Sequence, residues 1–473
     1  MSLPADLRDA LAAIVGPRWV KTANAERRTY ETDGLPTHAS LPALAVLPGS
    51  RAEVIAIIRL LAERNVPWVV RGAGTGLSGG ALADNTTVLI PLTRLNRILS
   101  IDPVSRRAVI EPGVVNARLS EAAAPYGLYY APDPSSQAAC TIGGNVAENA
   151  GGPHCLKYGT TTNHIVEIEV VLADGSIARL GSRQGEAWGP DLVGLFVGSE
   201  GMFGVALEIT TRLEPTPAAV RTLLSAFDSV RGASEAVSAI VASGVVPAAL
   251  ELLDRACVVA VENSIYAAGY PTDAEAVLLV ELDGTRASVD AEAPLVEAIL
   301  RQFKARSIRS AETPESRAKL WQGRKKAFGA LGRITADLVV QDAVVPRSTL
   351  PAVLDTITAI GQRHRLLITN VFHAGDGNLH PVICYDQRDP DLRDRAIQAG
   401  REIMEACVAA GGSITGEHGV GSDKIDYMPL IFDETSLATM CATRKAFDPS
   451  GRANPGKVVP IHSCREWRAG WVE

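Results

Sequence analysis

Apolar positions recur at helical spacing through VIAIIRLLAERN, residues 54–65, and then run unbroken through VPWVV, residues 66–70. The first pattern predicts an amphipathic helix and the second a buried strand. Ser50 can cap that helix, and Glu53 can return the bond, which makes a capping box. Short strand-like runs follow at TVLI, 87–90, and RAVIEPG, 107–113. IVEIEVVLADGSIARL, 165–180, predicts a hairpin turning at Asp174-Gly175, and VALEITTRLEP, 205–215, a further strand. Together these predict an α+β domain over residues 1–217. Beyond it the texture changes. AVRTLLSAF and VLLVELDG, 277–284, are strand-like and alternate with Ala-rich helical runs at 229–243 and 285–305. LITNVFHAG and NLHPVICYD, within 367–386, predict strands that meet at a turn, with a helix at 389–410. We therefore expect a second domain over 218–430. A last segment, 431–473, holds a helix and then the Pro/Gly-rich tail FDPSGRANPGK. No internal repeat stands out.

Size and composition narrow the class. A chain of 473 residues is too long for one core. The net charge of −7 without a long basic run gives nucleic-acid binding little support. No window reaches the eighteen uncharged apolar residues of a membrane-spanning helix. The first residues, MSLPADLRDALAAIVG, read as an amphipathic helix rather than a signal peptide. Seven scattered cysteines, never spaced C-x-x-C, fit a reducing, cytoplasmic setting. They argue against a disulfide framework and against a resident iron–sulfur cluster. The 42 glycines are concentrated in bursts at 71–80, 143–159, 198–204 and 411–421. Such bursts let backbone come close to something, or allow unusual dihedrals.

The first burst, RGAGTGLSGG, is not a nicotinamide fingerprint. Leu77 stands where G-x-G-x-x-G needs glycine, and no good helix follows. Its run of small residues, with Thr75 and Ser78, can still face an anion with several N–H groups. A tight turn at a sheet edge is the competing reading. The second burst, PDPSSQAACTIGGNVAENAGGPHCLKYG at 132–159, changes the balance. So long a polar, glycine-rich stretch is costly to bury unless its backbone groups are paired. A large ligand with many acceptors, lying between two such loops, explains both.

Two of only eight histidines, His373 and His380, flank Gly375 and Gly377 in HAGDGNLH. Seven apart on one straight strand, they would face opposite sides; the glycines allow them to converge. GEHG places Glu417 and His418 together between glycines. Two imidazoles and a carboxylate suit a divalent ion, zinc first, with manganese or iron as alternatives. Ordinary buried histidines paired to carbonyls are the competing reading. WQGRKKAFGALGR, 321–333, offers cations for a carboxylate, and arginine has the planar fork for it. A solvated basic helix face competes there.

Several stretches carry a resemblance that spans nearly the whole chain, in order. They are YETDGL (30–35), VVRGAGTGLSGGA (69–81), YYAPDPSSQAACTIGGNVAENAGGPHCLKYG (129–159), VGSEGMFG (197–204), HAGDGNLH (373–380), GEHGVGSDK (416–424) and NPGK (454–457). The chain resembles the flavin oxidoreductases related to vanillyl-alcohol oxidase, in their D-2-hydroxyacid dehydrogenase branch. The resemblance implies a two-part FAD-binding domain of the PCMH type and a cap domain with an antiparallel sheet. The C-terminal segment is expected to return to the FAD domain.

By the same resemblance, Arg71, Gly72, Ala73, Gly74, Thr75, Gly76, Ser78 and Gly79 wrap the FAD pyrophosphate. Pro132, Thr141, Gly144, Asn149 and Gly151 contact the flavin and its chain, and Glu200, Gly204 and Asn454 join them. FAD is expected to be non-covalent, with His154 and Cys155 as its neighbours. His373, His380 and Glu417 match the metal ligands, His418 the general base, and Arg324 the arginine that holds substrate; Arg347 is a second candidate. Asp376 and Asn378 are expected to order the turn. The implied activity is oxidation of a small 2-hydroxy acid, glycolate or D-lactate, with C2 giving a hydride to flavin N5. Relatives acting on D-lactate or D-2-hydroxyglutarate carry a lysine where Val340 stands, and an asparagine where Val382 stands. Both changes remove polar groups and point to a small acid. D-2-hydroxyglutarate oxidation and a non-catalytic FAD-bearing subunit are the alternatives. With no haem or cluster motif, the electrons must leave to an external acceptor. Companion flavin-like and iron–sulfur subunits leading to quinone, and through them a place at the inner membrane, are what the resemblance implies.

Overall fold

The computed structural model describes residues 3–35, 37–184, 189–311 and 313–460. The chain divides into two units. The first gathers the chain up to Gly151, Gly159–Thr216, and the chain from Glu417 onward; the second is Gly152–Tyr158 with Pro217–Gly416. The end of the expected tail, 461–473, lies outside the described residues.

The first unit holds two sheets. Helix α1 (Leu7–Val15) precedes β1 (Val20–Lys21), β2 (Leu44–Val46), helix α2 (Arg51–Glu63), β3 (Trp68–Arg71) and β4 (Val88–Pro91). The strands order β1-β2-β4-β3, with β4 parallel to both β2 and β3. Ser50 Oγ accepts the Glu53 N–H at 3.3 Å, as the sequence predicts. Glu53 returns its carboxylate one residue earlier than expected, to the Gly49 N–H at 2.6 Å. The apolar face of α2, Val54, Ile57, Ile58 and Leu61, packs with Leu7 and Leu11 of α1 over Trp68, Val88 and Ile90. Each such side chain removed from water contributes about 1.5–3 kcal/mol.

The second sheet follows β5 (Ile98–Asp102), β6 (Arg107–Ile110), helix α3 (Ile142–Glu148), β7 (Ile165–Val171), β8 (Ile177–Gly181) and β9 (Val205–Arg212). Its order is β5-β6-β9-β7-β8, all antiparallel. Ile142 and Val146 of α3 pack in its core with Ile168, Val170 and Ile209.

The second unit is built on one large antiparallel sheet. Its elements are β10 (Ala219–Phe227), α4 (Val230–Ala242), β11 (Ala249–Asp254), α5 (Arg255–Glu262), β12 (Ala276–Gly284), α6 (Arg286–Gln302), β13 (Ser307–Ala311), α7 (Pro314–Lys325), α8 (Ala327–Leu331), β14 (Asp337–Val340), β15 (Ala343–Val344), α9 (Leu350–His364), β16 (Leu367–His373), β17 (Asn378–Leu379), β18 (Pro381–Tyr385) and α10 (Pro390–Ala409). The strand path runs β13-β10-β12-β11-β16-β17-β15, and β18 pairs with both β14 and β16. One face carries Leu224, Leu253, Val277, Leu279 and Val371 against helices α5, α7 and α8. The architecture is α+β.

The chain ends in the first unit. Helix α11 (Glu434–Phe447) stacks Phe447 on Phe203, ring centroids 4.5 Å apart. The strand that opens at Trp68 then gains a last parallel bridge, to Ala453. Cys140, Cys155, Cys257, Cys384 and Cys407 are free thiols, whereas Cys441 is disulfide-bonded.

Two glycines of the second unit separate backbone strain from crowding. Gly377 has φ +80°, and a Cβ there would press on the Val345 carbonyl oxygen. Gly244 has φ +89° but open space around it. Gly244→Ala should cost about 1 kcal/mol, and Gly377→Ala clearly more, read as the drop in melting temperature of the purified protein. Equal drops would mean that the turn at Gly377 yields easily.

Candidate functional site

In the first unit, the Arg71–Gly80 loop leaves β3 and meets the start of α3. A side chain on Gly72 would run into Thr141 Oγ1. Thr141 caps α3 by accepting the Gly144 N–H at 3.2 Å, and Asn149 ends it in the left-handed region, φ +53°. Asn149 Oδ1 also accepts the Thr162 N–H at 2.9 Å. Pro132 O accepts from Asn116 Nδ2 at 2.9 Å. Gly151 is the last residue of the first unit before the chain crosses over. The two glycine-rich stretches thus come together, and only residues lacking a bulky side chain fit where they touch.

Some residues expected at the cofactor are engaged in bracing these loops. Arg71 donates through Nη2 to Thr32 O at 2.8 Å, and its guanidinium lies 5.9 Å from the Tyr30 ring centre. Gly76 O accepts the Gly34 N–H at 2.8 Å. Asn454 Nδ2 donates to Gly80 O at 2.9 Å and to Glu200 O, and its N–H donates to Trp68 O at 2.8 Å. Asn454 therefore ties the last segment to both the glycine loop and the GSEG turn. Gly204, φ +130°, sits against Val171 O with no room for a side chain. Ala73, Thr75, Ser78 and Gly79 lie in the loop itself, with Ser78 fully buried.

Two carboxyls that the sequence did not single out as a pair stand beside these loops. Side chains of Glu148 and Glu200 both crowd the positions where a Cβ on Gly80 or Gly419 would go. Glu200 accepts the N–H groups of Val420 at 2.7 Å and Gly421 at 2.8 Å. Burial pushes the Glu200 carboxyl up to about 7, against the pull of those two N–H groups. Burial, then the neighbouring Glu200, raises Glu148 well above the usual carboxylate range. Asp33, Lys424 and Lys457 are the other charged groups acting on the pair.

In the second unit, β16 ends at His373 and β17 begins at Asn378, directly opposite it. The four-residue turn between them carries Gly375 and Gly377. Asp376 Oδ1 accepts the Asn378 N–H at 3.1 Å, and Arg347 Nη1 donates to Gly375 O at 3.2 Å. This hairpin brings the His373 and His380 rings to 5.1 Å between centres, at 85°. Both rings are buried, 3% and 2% exposed.

Behind His373 stands Glu251, on β11 in direct register with it. Glu251 Oε1 is 2.7 Å from His373 Nδ1. A carboxylate can only accept, so Nδ1 carries a proton, and in the neutral ring Nε2 is the nitrogen with a lone pair. Glu251 Oε2 accepts from Arg324 Nε at 2.6 Å. Arg324, from α7, is 1% exposed, and its Nη2 has no hydrogen-bond partner among the described residues. Asp342, fully buried, lies 3.6 Å from His380 Nε2 and accepts from Thr415 Oγ1 at 2.5 Å and the Gly416 N–H at 3.0 Å.

The chain leaves the second unit immediately after Gly416, so Glu417 and His418 open the last segment of the first. Gly416 has no room for a side chain against Asn378, nor Gly419, φ +84°, against Glu148 and Glu200. That crowding explains why GEHG has glycine at both ends.

His154 and Cys155 belong to the second unit. His154 Nε2 is 3.5 Å from Glu281 Oε1, and its ring stacks on Trp321 at 5.7 Å. Lys157 is ion-paired to Asp283, whose backbone oxygen it also meets at 2.6 Å. Val340 and Val382, the two departures from polar residues, are cross-strand partners on β14 and β18. Glu251 was missed in the sequence. The only signal for it is a lone carboxylate inside the apolar run AALELL.

A family model described as FAD binding domain matches residues 42–181, and one described as FAD linked oxidases, C-terminal domain, matches 216–458. The chain belongs to the FAD-linked oxidase family. It is 49% identical over 441 residues to glycolate oxidase subunit GlcD of Escherichia coli, covering 93% of this chain and 88% of that one. It is 31% identical to a mitochondrial D-lactate dehydrogenase [cytochrome] of Arabidopsis thaliana, covering 90% and 75%. Its fold is similar to that of p-cresol methylhydroxylase, with a TM-score of 0.82 at 17% identity over 97% of each chain. This FAD-linked oxidase is therefore an oxidoreductase with the PCMH-type flavin fold, and FAD is its cofactor. Among the described residues, no helix is long and apolar enough to cross a membrane.

The Glu148–Glu200 pair makes the first unit sensitive to pH. Both carboxyls keep protons in the folded chain that the unfolded chain releases. Stability is therefore full below the ordinary carboxylate range and falls as pH rises through about 7. The melting temperature of the purified protein should drop as pH rises from the ordinary carboxylate value of 4.5 to about 7, and Glu148→Gln should flatten that drop. A slope unchanged by the substitution would assign it to other groups.

Proposed function

We propose that this FAD-linked oxidase oxidises a small 2-hydroxy acid, glycolate or D-lactate, to the 2-keto acid and passes the electrons to an external acceptor. The observation that carries the reading is Arg324, a buried guanidinium with Nη2 unpartnered, held on the same carboxylate as His373. A buried cationic donor of that kind suits a substrate carboxylate. The names of the relatives, a glycolate oxidase subunit and a D-lactate dehydrogenase, agree with such a substrate. Val340 and Val382, facing each other across two strands, add apolar surface rather than a partner for a second carboxylate, which favours a small acid over 2-hydroxyglutarate.

A divalent ion, zinc first with manganese or iron as alternatives, is assigned to His373, His380 and Glu417. In support, His373 is held through Nδ1 by Glu251 and His380 lies against it, while Glu417 follows the residue that Asp342 anchors. Imidazole and carboxylate donors suit these metals, and the ion would supply polarisation of the 2-hydroxyl. FAD held by the glycine loops would supply the acceptor for the hydride leaving C2. The work of the chain's own residues is then narrow. Arg324 fixes the carboxylate end of the substrate, so that C2 has one orientation. His418 accepts the 2-hydroxyl proton as the carbonyl forms. The glycine loops of the first unit, with Thr141, Asn149 and Glu200 among their residues, hold FAD without a covalent bond. In support of a non-covalent cofactor, His154 is engaged with Glu281 and Trp321. The acceptor is proposed to be a companion electron-carrying subunit leading to quinone at the inner membrane, with this chain on the cytoplasmic side.

Anaerobic mixing with glycolate, both lactates and both 2-hydroxyglutarates, followed at the flavin's visible band, tests the substrate. Bleaching by glycolate or D-lactate is expected; bleaching by D-2-hydroxyglutarate alone would overturn the reading. His418→Ala should slow that bleaching about 10²- to 10⁴-fold with FAD content unchanged. An unchanged rate would remove His418 from the mechanism.

A further inference from the structure

Glu251 places a carboxyl group on an interior strand of the sheet, 0% exposed, with an apolar residue at every other position of β11 except its terminal Asp254. Such a group persists only if each of its oxygens is satisfied. Were its role to neutralise Arg324, both oxygens would be expected to meet the guanidinium fork, as in common carboxylate–arginine pairs. The structure divides them instead. Oε2 takes Arg324 Nε at 2.6 Å, and Oε1 turns to His373 Nδ1 at 2.7 Å, which leaves Arg324 Nη2 without a partner. The strand register fixes this division, because Glu251 and His373 are direct partners on β11 and β16.

We propose that Glu251 is a positioning residue serving two subsites at once: it sets the tautomer of His373 for metal binding and holds Arg324 with Nη2 turned to the substrate carboxylate. The proposal rests on the roles given above to His373 and Arg324. It ties the two ends of the substrate to a single rigid carboxylate. The carboxylate end is located through Arg324, and the hydroxyl end through the ion on His373. A histidine that binds metal through one nitrogen commonly donates from the other to a carboxylate, and loss of that partner weakens metal binding about 10- to 100-fold.

The amide of Glu251→Gln separates the two roles. Its oxygen can still accept from Arg324 Nε, but its NH2 group then faces His373 Nδ1. The imidazole must become the acceptor there, and its proton moves to Nε2. Glu251→Ala loses both contacts.

The test uses the FAD-loaded full chain, stripped with chelator and reloaded with Zn²⁺ or Mn²⁺. Metal content is read by elemental analysis, and binding of propionate, which lacks the hydroxyl, by perturbation of the flavin spectrum. Glu251→Gln should weaken metal retention about tenfold or more while propionate binding stays within about twofold. Glu251→Ala should weaken both. His373→Asn serves as the control for the metal reading. If wild type holds metal, His373→Asn loses it and Glu251→Gln keeps it, the metal site stands and the role of Glu251 falls. If wild type takes up neither ion, the metal reading fails and the imidazole half of this proposal fails with it. If propionate binding is unchanged in Glu251→Ala, the Arg324 half is overturned. Should Glu251→Gln not fold with an unpaired Arg324, the double variant Glu251→Gln/Arg324→Met removes the stranded charge and keeps the metal measurement decisive.

Discussion

A carboxylate placed inside an apolar sheet has to be answered where it stands, and most of the second unit's chemistry follows from how Glu251 is answered. Water cannot solvate it, and an unmatched charge at such depth would cost several kcal/mol. One partner comes from the neighbouring strand and the other from a helix laid across the sheet. The strand partner inherits its place from register, since a one-residue slip would turn His373 to the opposite face. The helix partner needs α7 at one depth over the sheet, and Leu320 on that helix is in the core that sets this depth. Packing, pairing and charge are therefore not separate layers here. Moving any one of them would leave a buried ion without its counterion.

The glycines act as the complementary constraint. Around Glu251 the structure needs side chains of one kind; around Gly72, Gly416 and Gly419 it needs none at all. In each case the space is already taken by a polar group on another segment. Thr141 occupies it at Gly72, Asn378 at Gly416, and the paired carboxyls at Gly419. The glycine bursts are thus the imprint of loops that meet other loops, which is why they recur between apolar strands and not in linkers.

That difference decides what could be read beforehand. The helix over Arg51–Glu63, the hairpin at Asp174-Gly175 and the turn between His373 and His380 rest on neighbours close in sequence, so their patterns are visible in a short window. The family motifs extend this to the flavin loops. Glu251 was not legible because its partners lie 73 and 122 residues away. Only strand order joins them, and one sequence does not state strand order. Arg71 and Asn454 show a related limit. Their motif was visible, but their side chains engage backbone carbonyls contributed by distant segments. The pairing of Val340 with Val382 is of the same sort: each substitution could be noticed alone, but not that the two face each other.

The route of the chain has its own consequence. It passes from one unit to the other four times, at Gly151–Gly152, Tyr158–Gly159, Thr216–Pro217 and Gly416–Glu417. The seven residues Gly152–Tyr158 supply His154 to Glu281 and Lys157 to Asp283, long before those strands are made. The first unit is in turn unfinished until Asn454 arrives to join Gly80 and Glu200. Neither unit is therefore a contiguous stretch of sequence. Closing the flavin loops thus depends on a contact between residues more than two hundred and fifty positions apart in sequence.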